Sequence, residues 1–366
     1  MIDRSLHIAV DGRELLGRPT GVGRYLYEIL RIWASDASIP HRFTVFLPSA
    51  PPSHLTALGP RLEWRVAPAA RTGTWWEQVH LPRALARAAP DVVFAPGYTA
   101  PLQHVCPTVV TIHDVSFWAH PEGFPPRERL RRRWLTRTTA RRSARILTVS
   151  GFSAQEIARW LNVPRERIVV APNGAPAPTR AAGRARAERI VLFVGSLFAR
   201  RRIPLLLEAF RRVLARVPDA RLTLIGENRT SPRLDPDDLA AKLSIRTAVT
   251  YRAYVSDQEL DAAYDAARAF AFLSDYEGFA LTPFEAIAHG VPPVMLDTPV
   301  AREVYGDAAR LVAPDPAAVA DALSRLLVDD EVHATLVEAG LRRLSAFPWS
   351  RTAAVTLRAI EEAARP

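Results

Sequence analysis

Short apolar runs and amphipathic stretches alternate along most of the chain. The runs LHIAV (6–10), RFTVFL (42–47), DVVFAP (91–96), TVVTI (108–112), RILTVS (145–150) and RIVVAP (167–172) are rich in β-branched residues. They end in polar or turn residues, which predicts buried strands. Between them, VGRYLYEILRIW (22–33) and SAQEIARWLNV (153–163) carry the helical apolar period. At 174–188 the text becomes GAPAPTRAAGRARAE, which has no apolar period and predicts a linker. The rhythm then restarts. Strands are predicted at 189–195, 221–226, 248–255, 267–274 and 291–296, and helices at 203–217, 257–267, 315–328 and 330–345. Strand, helix and strand repeated in this order imply parallel sheets covered on both faces. The expectation is an α/β chain of two doubly wound domains of similar size. They would face a central cleft at the carboxyl ends of their strands, where such sheets bind ligands.

Composition narrows this picture. A chain of 366 residues, 48% of them hydrophobic, can bury two cores, on a prior of ~150 residues per domain. No apolar run reaches the ~18 residues of a membrane span. The opening MIDRSLHIAVDG reads as a strand and not as a leader. Cys106 is the single cysteine, which excludes an internal disulfide, fits a reducing compartment and gives no basis for a thiolate metal site. The net charge is +10 and uneven, with 24 basic against 13 acidic residues in 1–180 and 24 against 25 in 181–366. The first half either faces something anionic or reflects a preference for arginine, Lys242 being the only lysine.

Five places in the chain could carry chemistry. In SDYEGFALTPFEAIAHG (274–290), Glu277 follows a predicted strand as part of a loop. Thr282, Pro283 and Glu285 have the form of a capping box that starts a helix. Two carboxylates beside free helix-start amides suit a ligand bearing both hydroxyls and phosphate. In GSLFARRRIPLLLEAF (195–210), Arg200, Arg201 and Arg202 precede a helix. That placement opposes the helix dipole unless the arginines bind an anion such as a diphosphate. Gly21-Val22-Gly23 is a glycine turn before a helix and lacks a dinucleotide fingerprint. His113 ends a predicted strand and is either a packed residue or a ligand contact, with Asp114 holding its ring or capping the next turn. In RERLRRRWLTRTTARRSAR (127–145), Arg129, Arg133, Arg137, Arg141 and Arg145 recur every four residues beside Trp134. The stripe is either a solvated helix face or a surface for anionic lipid or a lipid-diphosphate acceptor. No nucleic-acid motif accompanies it. Asp235-Pro236-Asp237 reads as a helix cap and not as a metal motif, and Ser153 with Glu156 reads as a second capping box.

The nine residues EGFALTPFE (277–285) resemble the donor-site motif of the retaining glycosyltransferases of family 4, which have the GT-B fold. TGVGRYLYEIL (20–30), TIHDVSFWAHPEGFP (111–125), VSGFSAQEIARWLNVPRERIVVAPNGA (149–175) and FVGSLFARR (193–201) resemble that family in the same order, in the manner of its mannosyltransferase-like branch. The resemblance implies two Rossmann-like domains, an acceptor-binding one at 1–180 and a nucleotide-sugar-binding one at 181–346. It also implies a helix at 347–366 that returns to the first domain. It makes Gly195, Arg200, Arg201, Glu277, Gly278, Phe279, Ala280, Leu281 and Glu285 the donor-binding set. Within that set Glu285 would take the ribose hydroxyls and the arginines the diphosphate. Gly21, Val22 and Gly23 become an acceptor or phosphate loop, and His113 joins Glu277, Arg200 and Arg201 as catalytic candidates. Arg129, Arg133, Trp134, Arg137 and Arg141 form the candidate membrane or acceptor surface. The departures are Phe198-Ala199 for the usual Glu-Pro, Arg201 for lysine, Arg202 for asparagine and Ala280 for glycine.

The implied function is retaining transfer of a hexosyl, first of all mannosyl, group. It would pass from a nucleotide diphosphate sugar to a saccharide or polyprenyl-diphosphate-linked acceptor, in surface polysaccharide or glycolipid synthesis. GDP-mannose is the first donor to test, and neither cofactor nor metal is required. The expected place is the cytoplasm, at the inner face of the plasma membrane, with peripheral contact to anionic lipid and no nucleic-acid partner. Two other readings predict different behaviour. An epimerase or hydrolase on this fold consumes nucleotide sugar without an acceptor, and a non-catalytic anionic-lipid-binding protein shows no nucleotide-dependent stabilisation.

Overall fold

The computed structural model describes residues 5–17, 20–69, 72–103, 105–179 and 188–365. The chain divides into two compact units. One comprises Met1–Trp118, Pro126–Gly174 and Phe347–Pro366, and the other Ala119–Pro125 and Ala175–Ala346. Residues 119–125 thus group with the second unit, although the sequence reading placed them in the first. The boundary expected at 180 and most of the expected linker lie outside the described residues.

The first unit holds a seven-stranded parallel sheet. Its strands are β1 (His7–Asp11), β2 (Arg42–Leu47), β3 (Leu62–Val66), β4 (Val92–Ala95), β5 (Thr108–Thr111), β6 (Arg145–Thr148) and β7 (Ile168–Val170), in the order β3-β2-β1-β4-β5-β6-β7. All five residues of β1 are buried, as expected of a strand covered on both faces. The register sets Val10 beside Val45 on one side and Phe94 on the other. The helix Trp349–Ala363 packs on this sheet. Trp349 lies so close to Gly174 that a Cβ there would meet its ring at 2.2 Å. Trp33 Nε1 donates to the Ala353 carbonyl at 3.2 Å, and Thr352 Oγ1 to that of Pro172 at 2.5 Å.

The second unit holds β8 (Ile190–Val194), β9 (Arg221–Ile225), β10 (Val249–Arg252), β11 (Ala269–Phe272), β12 (Pro293–Leu296) and β13 (Arg310–Val312). All are parallel, in the order β10-β9-β8-β11-β12-β13. The strand order reverses between β1 and β4 in the first sheet and between β8 and β11 in the second. Such reversals open a crevice beyond the carboxyl ends of the strands, and ligands of doubly wound sheets bind there.

Two strands escape the apolar-run reading, β3 and β13. Both are sheet edges, and their polar residues Glu63, Arg65 and Arg310 break the run. The basic helix is Pro126–Arg142. Arg145 is not on it but opens β6, so the predicted arginine stripe ends at Arg141.

Candidate active site

In the second unit the chain leaves β8 at Val194 and β11 at Phe272, and the two strands are neighbours at the reversal point. After β8, Gly195 adopts φ +137°, and a Cβ there would meet Arg201 Nη1 at 2.1 Å. Only glycine lets the Arg201 side chain lie back over the strand end. Arg201 Nη1 then donates to the Ser196 carbonyl at 3.0 Å, and Nε to Glu277 Oε1 at 3.2 Å. Arg200 Nε donates to the Tyr276 carbonyl at 3.1 Å and lies 3.7 Å from the same Glu277 oxygen. Ser274 Oγ donates to that oxygen as well, at 2.9 Å. The Arg201 and Glu277 side chains are each only 13% exposed.

Two guanidiniums and one carboxylate leave a net positive charge in a half-dry setting. Burial and the neighbouring Arg200 hold the Arg201 guanidinium below its usual range, against the pull of Glu277. Phe198 explains how the crowding is tolerated. Its ring lies 4.4 Å from the Arg200 guanidinium and 5.8 Å from that of Arg201, and Phe272 lies 5.1 Å from the latter. Aromatic faces attract cations, so the residue that departs from the family pattern has a role here. Arg202 turns away. It caps the helix Ile203–Leu214 with φ 46° and donates from Nε to both Asp275 carboxylate oxygens at 2.6 Å.

The capping box expected at Thr282 is not formed. The helix is Thr282–Ala288, its N-cap is Leu281, and no side chain caps it. Glu285 instead accepts a hydrogen bond on Oε2 from the Tyr264 hydroxyl at 2.9 Å. Tyr264 is stacked on His289, with centroids 5.1 Å apart, and His289 Nδ1 lies 2.6 Å from Asp265 Oδ1. Between the two glutamates, Ala280 sits in the left-handed region at φ 65°. The Tyr305 hydroxyl donates to its carbonyl at 2.7 Å and approaches that of Phe279 at 3.4 Å. Burial, then Glu277 and Glu285, push the Tyr305 phenol well above its usual range. Tyr305 therefore stays a donor and feels both carboxylates. In the 119–125 segment the His120 ring lies 5.4 Å from Tyr276. Tyr264, His120 and Tyr305 carry no local signal in sequence, because each reaches the site across the fold.

In the first unit Gly21, Val22 and Gly23 do not precede a helix. They are the first turn of the helix Gly21–Ser35, and Thr20 Oγ1 accepts from the Gly23 amide at 3.0 Å. A Cβ on Gly23 would meet the Glu14 carbonyl at 2.4 Å, so that glycine serves close packing. His113 follows β5 and is buried. Its Nε2 lies 2.9 Å from the Pro96 carbonyl, and its ring stands edge-on to Tyr25 at 5.0 Å. Burial lowers its pKa, which favours the neutral ring. Because a carbonyl only accepts, the proton sits on Nε2 and Nδ1 is left as an acceptor. Ser153 Oγ donates to the His113 carbonyl at 3.1 Å. The capping box read at Ser153 is displaced, because the cap of the helix Gly151–Leu161 is Ser150. Asp114 caps the next turn through the Ser116 amide at 2.7 Å and accepts from the Tyr98 hydroxyl at 3.0 Å.

The reversal point of the first sheet carries a cluster that periodicity could not reveal. Arg13 Nη2 lies 2.7 Å from Glu77 Oε1 and donates to Thr99 Oγ1 at 3.1 Å, while Nε lies 3.4 Å from Asp11 Oδ2. Asp11 and Glu77 are both fully enclosed. Burial outweighs the pull of Arg13 and pushes Asp11 up to about 6. Elsewhere, Asp235 caps the helix Pro236–Lys242 through the Asp237 amide at 2.9 Å, as read from sequence. Arg133 Nε donates to the Phe117 carbonyl and Arg137 Nη2 to that of Trp160, both at 2.8 Å, and both guanidiniums lie over Trp118. Two members of the arginine stripe thus also brace the fold.

Two parallel-stranded Rossmann-like sheets, each with its reversal point, define the class: this is a GT-B fold. Among solved structures, Anabaena HepE in complex with UDP and glucose superimposes with a TM-score of 0.75 over 98% of this chain and 100% of that one, at 17% identity. A family model described as Glycosyltransferase Family 4 matches residues 19–178, and one described as Glycosyl transferases group 1 matches 179–343. The chain is 32% identical over 268 residues to O-antigen chain mannosyltransferase B of Escherichia coli, covering 69% of each chain. It is 32% identical over 249 residues to the MMP alpha-(1->4)-mannosyltransferase of Mycolicibacterium hassiacum, covering 65% of this chain and 60% of that one. The chain belongs to glycosyltransferase family 4.

Proposed function

We propose that this glycosyltransferase moves a mannosyl group from GDP-mannose to a saccharide or lipid-linked saccharide, with retention of anomeric configuration, in surface polysaccharide or glycolipid synthesis. The observation that carries the donor site is the convergence of Arg200 and Arg201 on one oxygen of Glu277 at the reversal point of the second sheet. The surplus positive charge suits a diphosphate, which guanidiniums bind through paired N–H donors. Glu285 would accept from the ribose hydroxyls, and Glu277 from the sugar. The mannosyl preference rests on the two relatives named mannosyltransferases.

In the transfer step the acceptor hydroxyl oxygen bonds to the anomeric carbon on the face from which the diphosphate departs. The bond from that carbon to the β-phosphate oxygen breaks with its electron pair, and the hydroxyl proton passes to the departing phosphate. Arg200 and Arg201 stabilise the charge that builds on the leaving group. His113, neutral with its Nδ1 lone pair available, would accept from a sugar or acceptor hydroxyl. The first unit would hold the acceptor. The place of action would be the cytoplasm, at the inner face of the plasma membrane where the acceptor is lipid-linked.

A thermal-shift panel of UDP, GDP, ADP and dTDP with their sugars tests the donor, and GDP and GDP-mannose are expected to stabilise most. Arg201→Ala removes charge-assisted bonds and should weaken nucleotide diphosphate binding about 100-fold. Unchanged affinity by calorimetry would overturn the site. Proton NMR of the product tests stereochemistry, and an inverted anomeric signal would overturn retention.

A further inference from the structure

The helix Pro126–Arg142 carries charge that sugar transfer does not use. Its sequence PRERLRRRWLTRTTARR holds eight arginines and one acid, Glu128, which is engaged by Arg132 at 2.8 Å. Its buried residues are Leu135, Thr136, Thr139 and Ala140. At about 100° per residue, Leu130, Trp134, Arg137 and Arg141 fall on the opposite side within about 60° of arc. That side presents large apolar groups to solvent, with Leu130 71% and Trp134 60% exposed. Trp75, 54% exposed, stands beside this helix, because Arg131 bonds the hydroxyl of the adjoining Thr74.

We propose that this face docks the enzyme on a bilayer rich in anionic phospholipid, with Trp75, Leu130 and Trp134 seated in the headgroup layer and the arginines on lipid phosphates. Two observations converge on that occupant. Leu130 and Trp134 stand one helical turn apart as a pair of exposed large apolar groups, and tryptophan is the side chain that membrane interfaces favour. The charge around them is of one sign. The bonds from Arg133 and Arg137 to backbone carbonyls leave their charge intact, since a carbonyl is neutral. Each arginine close to an anionic surface is worth about fivefold in binding. No helix among the described residues is long and apolar enough to cross a membrane, so attachment through this face would be peripheral and reversible.

The test is co-sedimentation of the full chain with phosphatidylcholine vesicles, with and without phosphatidylglycerol, in the absence of any nucleotide. Binding is expected on the anionic vesicles, at least tenfold weaker on phosphatidylcholine alone, and falling as salt rises. The variants Leu130→Ser with Trp134→Ser, and Trp75→Ser, should each lose at least tenfold of vesicle affinity. Because these side chains are exposed, the variants should keep the wild-type melting temperature and nucleotide affinity. Equal sedimentation of variants and wild type would overturn the proposal. So would equal binding to both vesicle types, self-association of the wild type that the variants lose, or displacement from vesicles by duplex DNA at equal phosphate. Nucleotide affinity is read separately, so a failed donor site and a failed docking face give different results.

Discussion

Tyr264→Phe removes a single oxygen atom and should weaken nucleotide diphosphate binding about tenfold. Tyr264 is buried and its ring is stacked on His289, so phenylalanine fills the same space. What disappears is the 2.9 Å hydrogen bond to Glu285 Oε2. A hydrogen bond to a charged group is worth about 1.5–3 kcal/mol. Glu285 is only half-buried, and water can replace part of the bond, so the low end applies. About 1.4 kcal/mol corresponds to tenfold in affinity. The loss falls on orientation, because the Tyr264 hydroxyl fixes the Glu285 carboxylate from a neighbouring helix.

Isothermal calorimetry with the best nucleotide from the panel measures the effect, and steady-state kinetics locate it. KM for the donor should rise about tenfold while kcat falls less than threefold, since Tyr264 acts through Glu285 and not on the reacting atoms. Glu285→Ala should cost more than Tyr264→Phe, and adding Tyr264→Phe to Glu285→Ala should cost almost nothing further. Two additive losses, or an unchanged Kd in Tyr264→Phe beside a large loss in Glu285→Ala, would refute the positioning role.

Ala280→Gly should raise stability by about 1 kcal/mol, because the left-handed φ of 65° strains any residue with a Cβ. Urea unfolding measures it, and a lower midpoint would contradict the reasoning. Asp11 stands at about 6 against an ordinary 3.8. Between those values the folded chain keeps a proton that the unfolded chain has lost. Stability therefore falls as pH rises through that window, by up to about 3 kcal/mol. Asp11→Asn should flatten this part of the melting-temperature profile, and parallel profiles for variant and wild type would exclude Asp11 as the source.

The sheets were legible because their central strands are buried on both faces and read as continuous apolar runs. β3 and β13 were not, since an edge strand needs only one apolar face and can spend its other positions on Glu63, Arg65 or Arg310. Helix starts were displaced wherever a serine or threonine offered two choices. Ser150 caps where Ser153 was expected, and Thr20 makes Gly21–Gly23 a first helical turn. The basic stripe was correctly read as helical over most of its length, but no periodicity shows that two of its arginines bond the carbonyls of Phe117 and Trp160. Those contacts join segments far apart in the chain, and a spacing rule does not see them.

The same limit explains the segment that holds both glutamates. Its residues account for which groups are present, an acid after β11 and an acid in a helical first turn. They do not account for where those groups are held. Three hydroxyls do that, two of them from outside the segment: Ser274 on Glu277, Tyr264 on Glu285, and Tyr305 on the carbonyls of Phe279 and Ala280 between them. Each hydroxyl donates to an oxygen and so fixes its position. Arg201 reaches the first glutamate only because Gly195 clears the way beside β8. Spacing between the glutamates is thus a consequence of a loop pinned from behind. It follows that substitutions at Tyr264 or Tyr305, which lie outside the motif, should alter donor binding while the motif itself stays intact.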